Sequence, residues 1–265
     1  MRAPAVLVGV LAVGVLGGCD GEAEERARVR EYLREANSVM RLSADEFRHA
    51  NQAYAAFARG RLPAGEAAVA FRSAERSIRA SRERVADLRP PGDARALHAK
   101  LLRVFEMNLG FAHHTRLLAA YQDRAGATLT RLRRYDRNLR TELADADAPG
   151  AQAAAMRRFR DGLQRTRRDL RGLDVPRLLL DPHADQLRRL DATYELADEL
   201  RGALKAQDEK RVAELLARFR DQGTGGPRQG LSRQAIGSYR QRYRRLNDAY
   251  ADLAREQARL DRMLD

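Results

Sequence analysis

From Val29 to Phe57 the residues Val29, Leu33, Ala36, Met40, Ser43, Phe47, Ala50, Tyr54 and Phe57 follow one another by four and three in strict alternation. That spacing lays a stripe along one side of an α-helix and cannot be the face of a strand, whose side chains alternate with a period of two. Sustained over several heptads, it needs other helices to cover it. Similar seams recur: Phe71, Ala74, Ile78, Ser81, Val85 and Leu88; then Leu97, Leu101, Leu102, Phe105, Leu109, Ala112 and Leu118; then Met156, Phe159, Leu163, Thr166, Leu170 and Leu173. Leu187, Leu190, Tyr194, Ala197 and Leu204 make a fifth, and Val212, Leu215, Leu216 and Phe219 a short one. The last is Ile236, Tyr239, Tyr243, Leu246, Tyr250, Leu253, Gln257, Leu260 and Leu264. No stretch alternates as a strand does. The expected fold class is all-α, a bundle of long antiparallel helices.

Glycine and proline punctuate the seams. Gly60 stops the first helix and Pro63 opens the second, which Pro90-Pro91-Gly92 ends because proline has no amide to continue the ladder. Asp93 is placed to cap the third helix, and Asp181-Pro182 reads as an N-cap followed by a first-turn proline. Gly126 leaves two outcomes. The third helix either breaks there and folds back into one compact bundle, or continues through Leu129, Leu132, Leu139 and Leu143 to Asp147-Ala148-Pro149-Gly150, giving a tandem rod. Residues 221–230, with four glycines and a proline, are expected as a loop before a C-terminal helix over 231–265.

At an offset of 85, without gaps, Leu88, Pro91, His98, Ala99, Leu102 and Arg103 fall on Leu173, Pro176, His183, Ala184, Leu187 and Arg188. The match continues through Ala112, Arg116, Gln122 and Asp123 onto Ala197, Arg201, Gln207 and Asp208. The expectation is a duplicated helical hairpin, with copies at about 64–123 and 149–208 in a body spanning 23–220.

Residues 1–18 have one arginine and then a charge-free run, Ala3 to Gly18, which is shorter than the roughly 20 residues a spanning helix needs. It leaves through Leu16-Gly17-Gly18-Cys19, and Cys19 is the only cysteine of the chain. That exit resembles the lipobox of bacterial lipoproteins: an aliphatic residue, two small residues and the cysteine. The resemblance covers residues 1–19. It implies that the signal is cut before Cys19, that the sulfur receives a diacylglycerol, and that residues 19–22 form a lipidated tether. In some bacterial lipoproteins an aspartate in the place of Asp20 implies retention in the inner membrane. The implied location is the cell membrane, lipid-anchored, facing the extracytoplasmic side.

Few chemistries suit this composition. A single cysteine and no tryptophan exclude a disulfide scaffold, a Cys-rich zinc module and an iron–sulfur protein. No phosphate loop follows a strand, and no serine stands on a nucleophile elbow. Catalytic residues are therefore expected to be absent, as is a cofactor. Glu46 and His49 have the Glu-x-x-His spacing of di-iron bundles but lack a second such pair. His98 and His183 are weak metal candidates. They are equivalent in the repeat and lie on the seams of their helices, so a pseudo-symmetric bundle could join them as metal or haem ligands. The alternative function, a metal- or haem-binding bundle, rests on them.

Charge is the remaining signal. The chain has 50 basic and 37 acidic residues, a formal net charge of +13, and all but Lys100, Lys205 and Lys210 of the basic ones are arginine. Residues 124–172 carry thirteen arginines against six acids. Arginine forks suit phosphate and carboxylate, so Arg131, Arg133, Arg134, Arg157 and Arg158 are the candidate anion-binding residues. Because Tyr239, Tyr243 and Tyr250 lie on the apolar seam, nucleic acid is not expected as a partner. The expected partners are the membrane, through the lipid anchor, and either an envelope protein or an anionic envelope polymer. The expected function is non-enzymatic binding or scaffolding at the cell envelope.

Overall fold

The computed structural model describes residues 20–222 and 233–265, with side chains for 21–221 and 241–265. The signal-like segment 1–18, the lipobox with Cys19, and most of the glycine-rich loop lie outside the described residues. Seven α-helices hold nearly all of the described chain: α1 Asp20–Ala58, α2 Ala64–Ala86, α3 Arg95–Ala144, α4 Pro149–Arg171, α5 Leu180–Ala206, α6 Glu209–Gln222 and α7 Arg233–Leu264. The fold is all-α, and among the described residues there is no strand. Residues 20–22, expected in the tether, are the start of α1, and residues 221 and 222, expected in the loop, close α6.

The chain divides into two compact units. The first holds α1, α2, α3 up to Ala120, and α7 from Gly237. Its core joins Val29, Leu33 and Phe47 of α1 to Phe71, Ile78 and Val85 of α2, to Leu101, Val104 and Phe105 of α3, and to Leu253 and Leu260 of α7. Phe47 and Phe105 meet as tilted rings with centroids 5.4 Å apart. The second unit holds α3 from Tyr121 together with α4, α5 and α6. There Leu132 and Leu139 pack with Met156, Phe159 and Leu163 of α4, Leu190, Leu196 and Leu200 of α5, and Leu215 of α6. Every seam position named for α2 from Phe71 to Val85 is buried, as is every one named for α4 from Met156 to Leu170.

Gly126 does not break α3, which runs for 50 residues without interruption. A central glycine costs a helix about 1 kcal/mol. Burial of Ala125 and Thr128, with partial burial of Leu129, outweighs that cost. Gly60, by contrast, ends α1 with φ +69°, a left-handed conformation that glycine enters without penalty. There the Arg61 amide donates to the Ala56 carbonyl at 2.8 Å.

The two expected caps differ from the structure. Asp93 lies within a 3-10 turn, Gly92–Ala94, that precedes α3. Asp181 lies inside the first turn of α5, which follows a second 3-10 turn, Arg177–Leu179. In both places the carbonyl of the preceding proline, Pro91 or Pro176, accepts the first amide, from Ala94 at 3.1 Å and from Leu179 at 2.7 Å. Prolyl carbonyls thus start these helices without a capping side chain.

The element boundaries of the two units stand 85 residues apart: Ala64–Ala86 against Pro149–Arg171, Gly92–Ala94 against Arg177–Leu179, and Arg95 against Leu180 as helix starts. Two groups of ion pairs keep the same offset. Arg82 of α2 binds Glu106 of α3, and Arg167 of α4 binds Asp191 of α5. Glu75 faces His113 and Arg116, while the three positions 85 residues later hold Arg160, Asp198 and Arg201, in contact with the charges exchanged.

Candidate anion-binding face

Helix α4 packs antiparallel to the second half of α3, in a register marked by Arg131–Asp169 at 2.6 Å and Arg158–Glu142 at 2.7 Å. Between them the Arg165 guanidinium carbon lies 5.5 Å from the centre of the Tyr135 ring. Steps of four and seven along α3 are answered by equal steps back along α4, as straight antiparallel helices require.

This register decides which arginines share a face. Successive helical residues turn by about 100°, so Arg134 lies about 60° from Arg131, on the side away from the core, and Arg133 lies about 200° from Arg131. On α4, Arg157, Arg165 and Arg168 all turn outward from Arg158 by less than about 110°. The structure therefore brings together Arg131, Arg134, Arg157 and Arg158 of the five candidates and leaves Arg133 on another side of α3. All five are exposed. Arg165 and Arg168 join the face. Sequence reading missed both, because their place depends on the α3–α4 register.

The face is not uniformly free. Arg131 and Arg158 each neutralise a carboxylate, and Asp161 is held by Arg160 at 3.1 Å. Among the described residues, Arg134, Arg157, Arg165 and Arg168 have no ion pair. Guanidinium groups in that state are open to an external phosphate or carboxylate.

On the opposite side of α4 the charges are spent internally. Arg160 and Arg167 flank the ring of Tyr194, with guanidinium carbons 5.9 and 4.8 Å from its centre. Arg160 also donates to Asp198 at 2.7 Å, and Arg201 donates to the same carboxylate. The hydrogen bond that Arg160 donates to Asp198 holds that carboxyl below its ordinary range and raises Arg160. This ladder ties α4 to α5.

The repeat-related histidines are each placed inside their own unit. Tyr32 of α1 is 3.1 Å from Nδ1 of His98, and Tyr121 of α3 is 2.9 Å from Nδ1 of His183. Burial raises Tyr32 to about 12, raises Tyr121, and lowers both imidazoles. The phenols thus keep their protons, and each shares one hydrogen bond with Nδ1 of its imidazole. The two tyrosines are not themselves 85 residues apart; Tyr121 sits one helical turn further along than the equivalent of Tyr32. Glu46 is half-buried and His49 exposed on α1. Among the described residues no group of three or more His, Cys, Asp or Glu side chains is arranged to hold a metal ion.

The Tyr250 hydroxyl oxygen accepts from the Asn108 side-chain amide at 2.9 Å, and the Tyr243 ring lies 6.2 Å from that of Tyr54 in a stacked arrangement. Tyr239 falls outside the described side chains. Among the described residues no helix is long and apolar enough to cross a membrane. The sequence matches no protein-family model, and no curated protein and no solved structure is significantly similar to it.

Proposed function

We propose that the protein is a lipid-anchored, non-enzymatic binding or scaffolding protein at the extracytoplasmic side of the cell membrane, whose α3–α4 face holds an anionic partner of the envelope. The binding reading rests chiefly on one observation: Arg134, Arg157, Arg165 and Arg168 emerge on one side of two packed helices without a carboxylate among the described residues. The location rests on Leu16-Gly17-Gly18 before Cys19, the sole cysteine. Since α1 begins at Asp20, an acylated Cys19 would join a helix directly, holding the first unit close to the lipid surface. The repeat reading belongs to the same proposal. Two units built on one hairpin plan, with shared element boundaries and ion-pair register, suit a body that presents surfaces rather than encloses a reaction.

Two measurements test the proposal. Cys19→Ser is expected to abolish palmitate labelling and to release the protein from the membrane fraction; a variant that stays bound and is processed unchanged overturns the location. Reversal of Arg134, Arg157 and Arg168 to glutamate is expected to abolish salt-sensitive retention on an anionic polymer. Unchanged retention overturns the binding face.

A further inference from the structure

Along the α3–α4 seam lies a groove of about 300 Å³. Leu139 and Phe159 form its apolar floor, Arg158 and Arg165 stand two helical turns apart on one wall, and Asn138 and Tyr135 face them from α3. The chain spends backbone space to make this shape. A Cβ on Gly162 would fall 2.6 Å from the Tyr135 ring, so glycine there lets the ring lie against α4, where Arg165 covers it.

The fold does not demand these residues. In the first unit the helix pair α1–α2 occupies the corresponding place, and the positions 85 residues before Tyr135, Asn138, Arg158 and Arg165 hold Ala50, Ala53, Ser73 and Ala80. The same helix pairing is thus built in the first unit with small side chains. The arginines, tyrosine and asparagine are particular to the second unit, where they surround a concave surface.

The donor set narrows the ligand. Arg165 has a ring contact but no carboxylate partner among the described residues, which leaves its fork for a phosphate. Asn138, Asp161 and Glu142 stand beside it, and carboxylate and amide oxygens suit hydroxyl donors. Glu142 and Asp161, paired with Arg158 and Arg160, keep further oxygen lone pairs for hydroxyl donors, so the set suits a ligand that carries hydroxyls between its phosphates. We propose that this groove binds a hydroxylated organophosphate as part of a polyol-phosphate or sugar-phosphate polymer, with Arg165 on a phosphate and Asn138 and the neighbouring carboxylates on hydroxyls. The inference rests on the reading of α3–α4 as an anion-binding face and gives that face its ligand class.

The test uses the full chain in detergent and a fluorescent poly(glycerol phosphate) oligomer, read by anisotropy. Arg165→Ala is expected to weaken binding about tenfold or more, the loss of one charge-assisted contact. Arg133→Ala, on another side of α3, should change it less than about twofold. Equal losses in the two variants, or none in Arg165→Ala, overturn the groove; the second result, beside loss in the Arg134, Arg157 and Arg168 reversal, spares the broader face. Asn138→Ala should weaken the glycerol phosphate oligomer but not inorganic polyphosphate, which has no hydroxyls. Equal weakening of both overturns the assignment to a hydroxylated ligand. Vesicles of phosphatidylcholine with phosphatidylglycerol form the last arm: a loss seen only there would assign the site to lipid headgroups and overturn the polymer.

Discussion

The Tyr121 hydroxyl lies 2.9 Å from Nδ1 of His183, an imidazole buried to 8% exposure at the start of α5. Removing the hydroxyl leaves the buried Nδ1 without its hydrogen-bond partner, which costs about 1–3 kcal/mol. Tyr121→Phe is therefore expected to lower the stability of the second unit by that amount in urea unfolding. Tyr32→Phe should cost less, because His98 is only half-buried and water can replace the phenol.

The same pair sets a pH dependence. Burial lowers His183 below its ordinary 6.5, so between that value and the folded one the unfolded chain binds more protons. Stability then falls as pH falls through the unfolded value of about 6.5. Proton NMR of the His183 ring should show a titration midpoint below 6.5, and replacing His183 with phenylalanine should flatten the acid limb of the stability curve. A His183 that titrates at or above its ordinary value would overturn this account.

Gly162 and Tyr135 make opposite demands. Alanine in place of a helical glycine normally gains up to about 1 kcal/mol. At Gly162 the new methyl would press on the Tyr135 ring, and overpacking of that kind costs about 1–3 kcal/mol. Gly162→Ala is expected to destabilise the protein in the wild-type background and to stabilise it in a Tyr135→Ala background. The sign change in this double-mutant cycle, read by thermal unfolding, tests the close approach.

Gly126 offers the complementary case. It lies in the middle of α3, exposed, with nothing within 4 Å of the position a Cβ would take. Gly126→Ala should raise stability by about 0.5–1 kcal/mol, the ordinary gain of helix propensity. A chain that folded back at this residue would lose stability instead.

How much of this was legible in the sequence depends on the range of the interaction. Seams such as Phe71 to Val85 and Met156 to Leu170 were readable because burial repeats with the helix period. Asp93 and Asp181 misled because a proline followed by a 3-10 turn starts a helix without a capping carboxylate, and nothing local distinguishes the two solutions. Gly126 was ambiguous because about 1 kcal/mol of propensity is smaller than the burial on either side of it. Arg165 and Arg168 were invisible as part of a face, and Tyr135 gave no hint of Gly162. Those relations depend on the register between α3 and α4, which no short window contains.

Glu256 shows how α7 is held to its unit. It is buried to 9% exposure, and its carboxylate receives Lys100 of α3 and Arg259 of α7, each at 2.7 Å. The hydrogen bond from Lys100, seconded by that from Arg259, holds the carboxyl below its ordinary range. A depressed folded value means that its stabilisation is complete above the unfolded value and is lost as pH falls through the folded one. Both cations are partly exposed and can be solvated once the acid is gone, so Glu256→Ala should cost only about 1 kcal/mol. The effect should be local. Hydrogen exchange of the amides from Ala249 to Leu260 is expected to quicken in this variant at neutral pH, while α4 and α5 keep their protection. Equal quickening of α4 would show that Glu256 acts on the whole chain and not on the docking of α7.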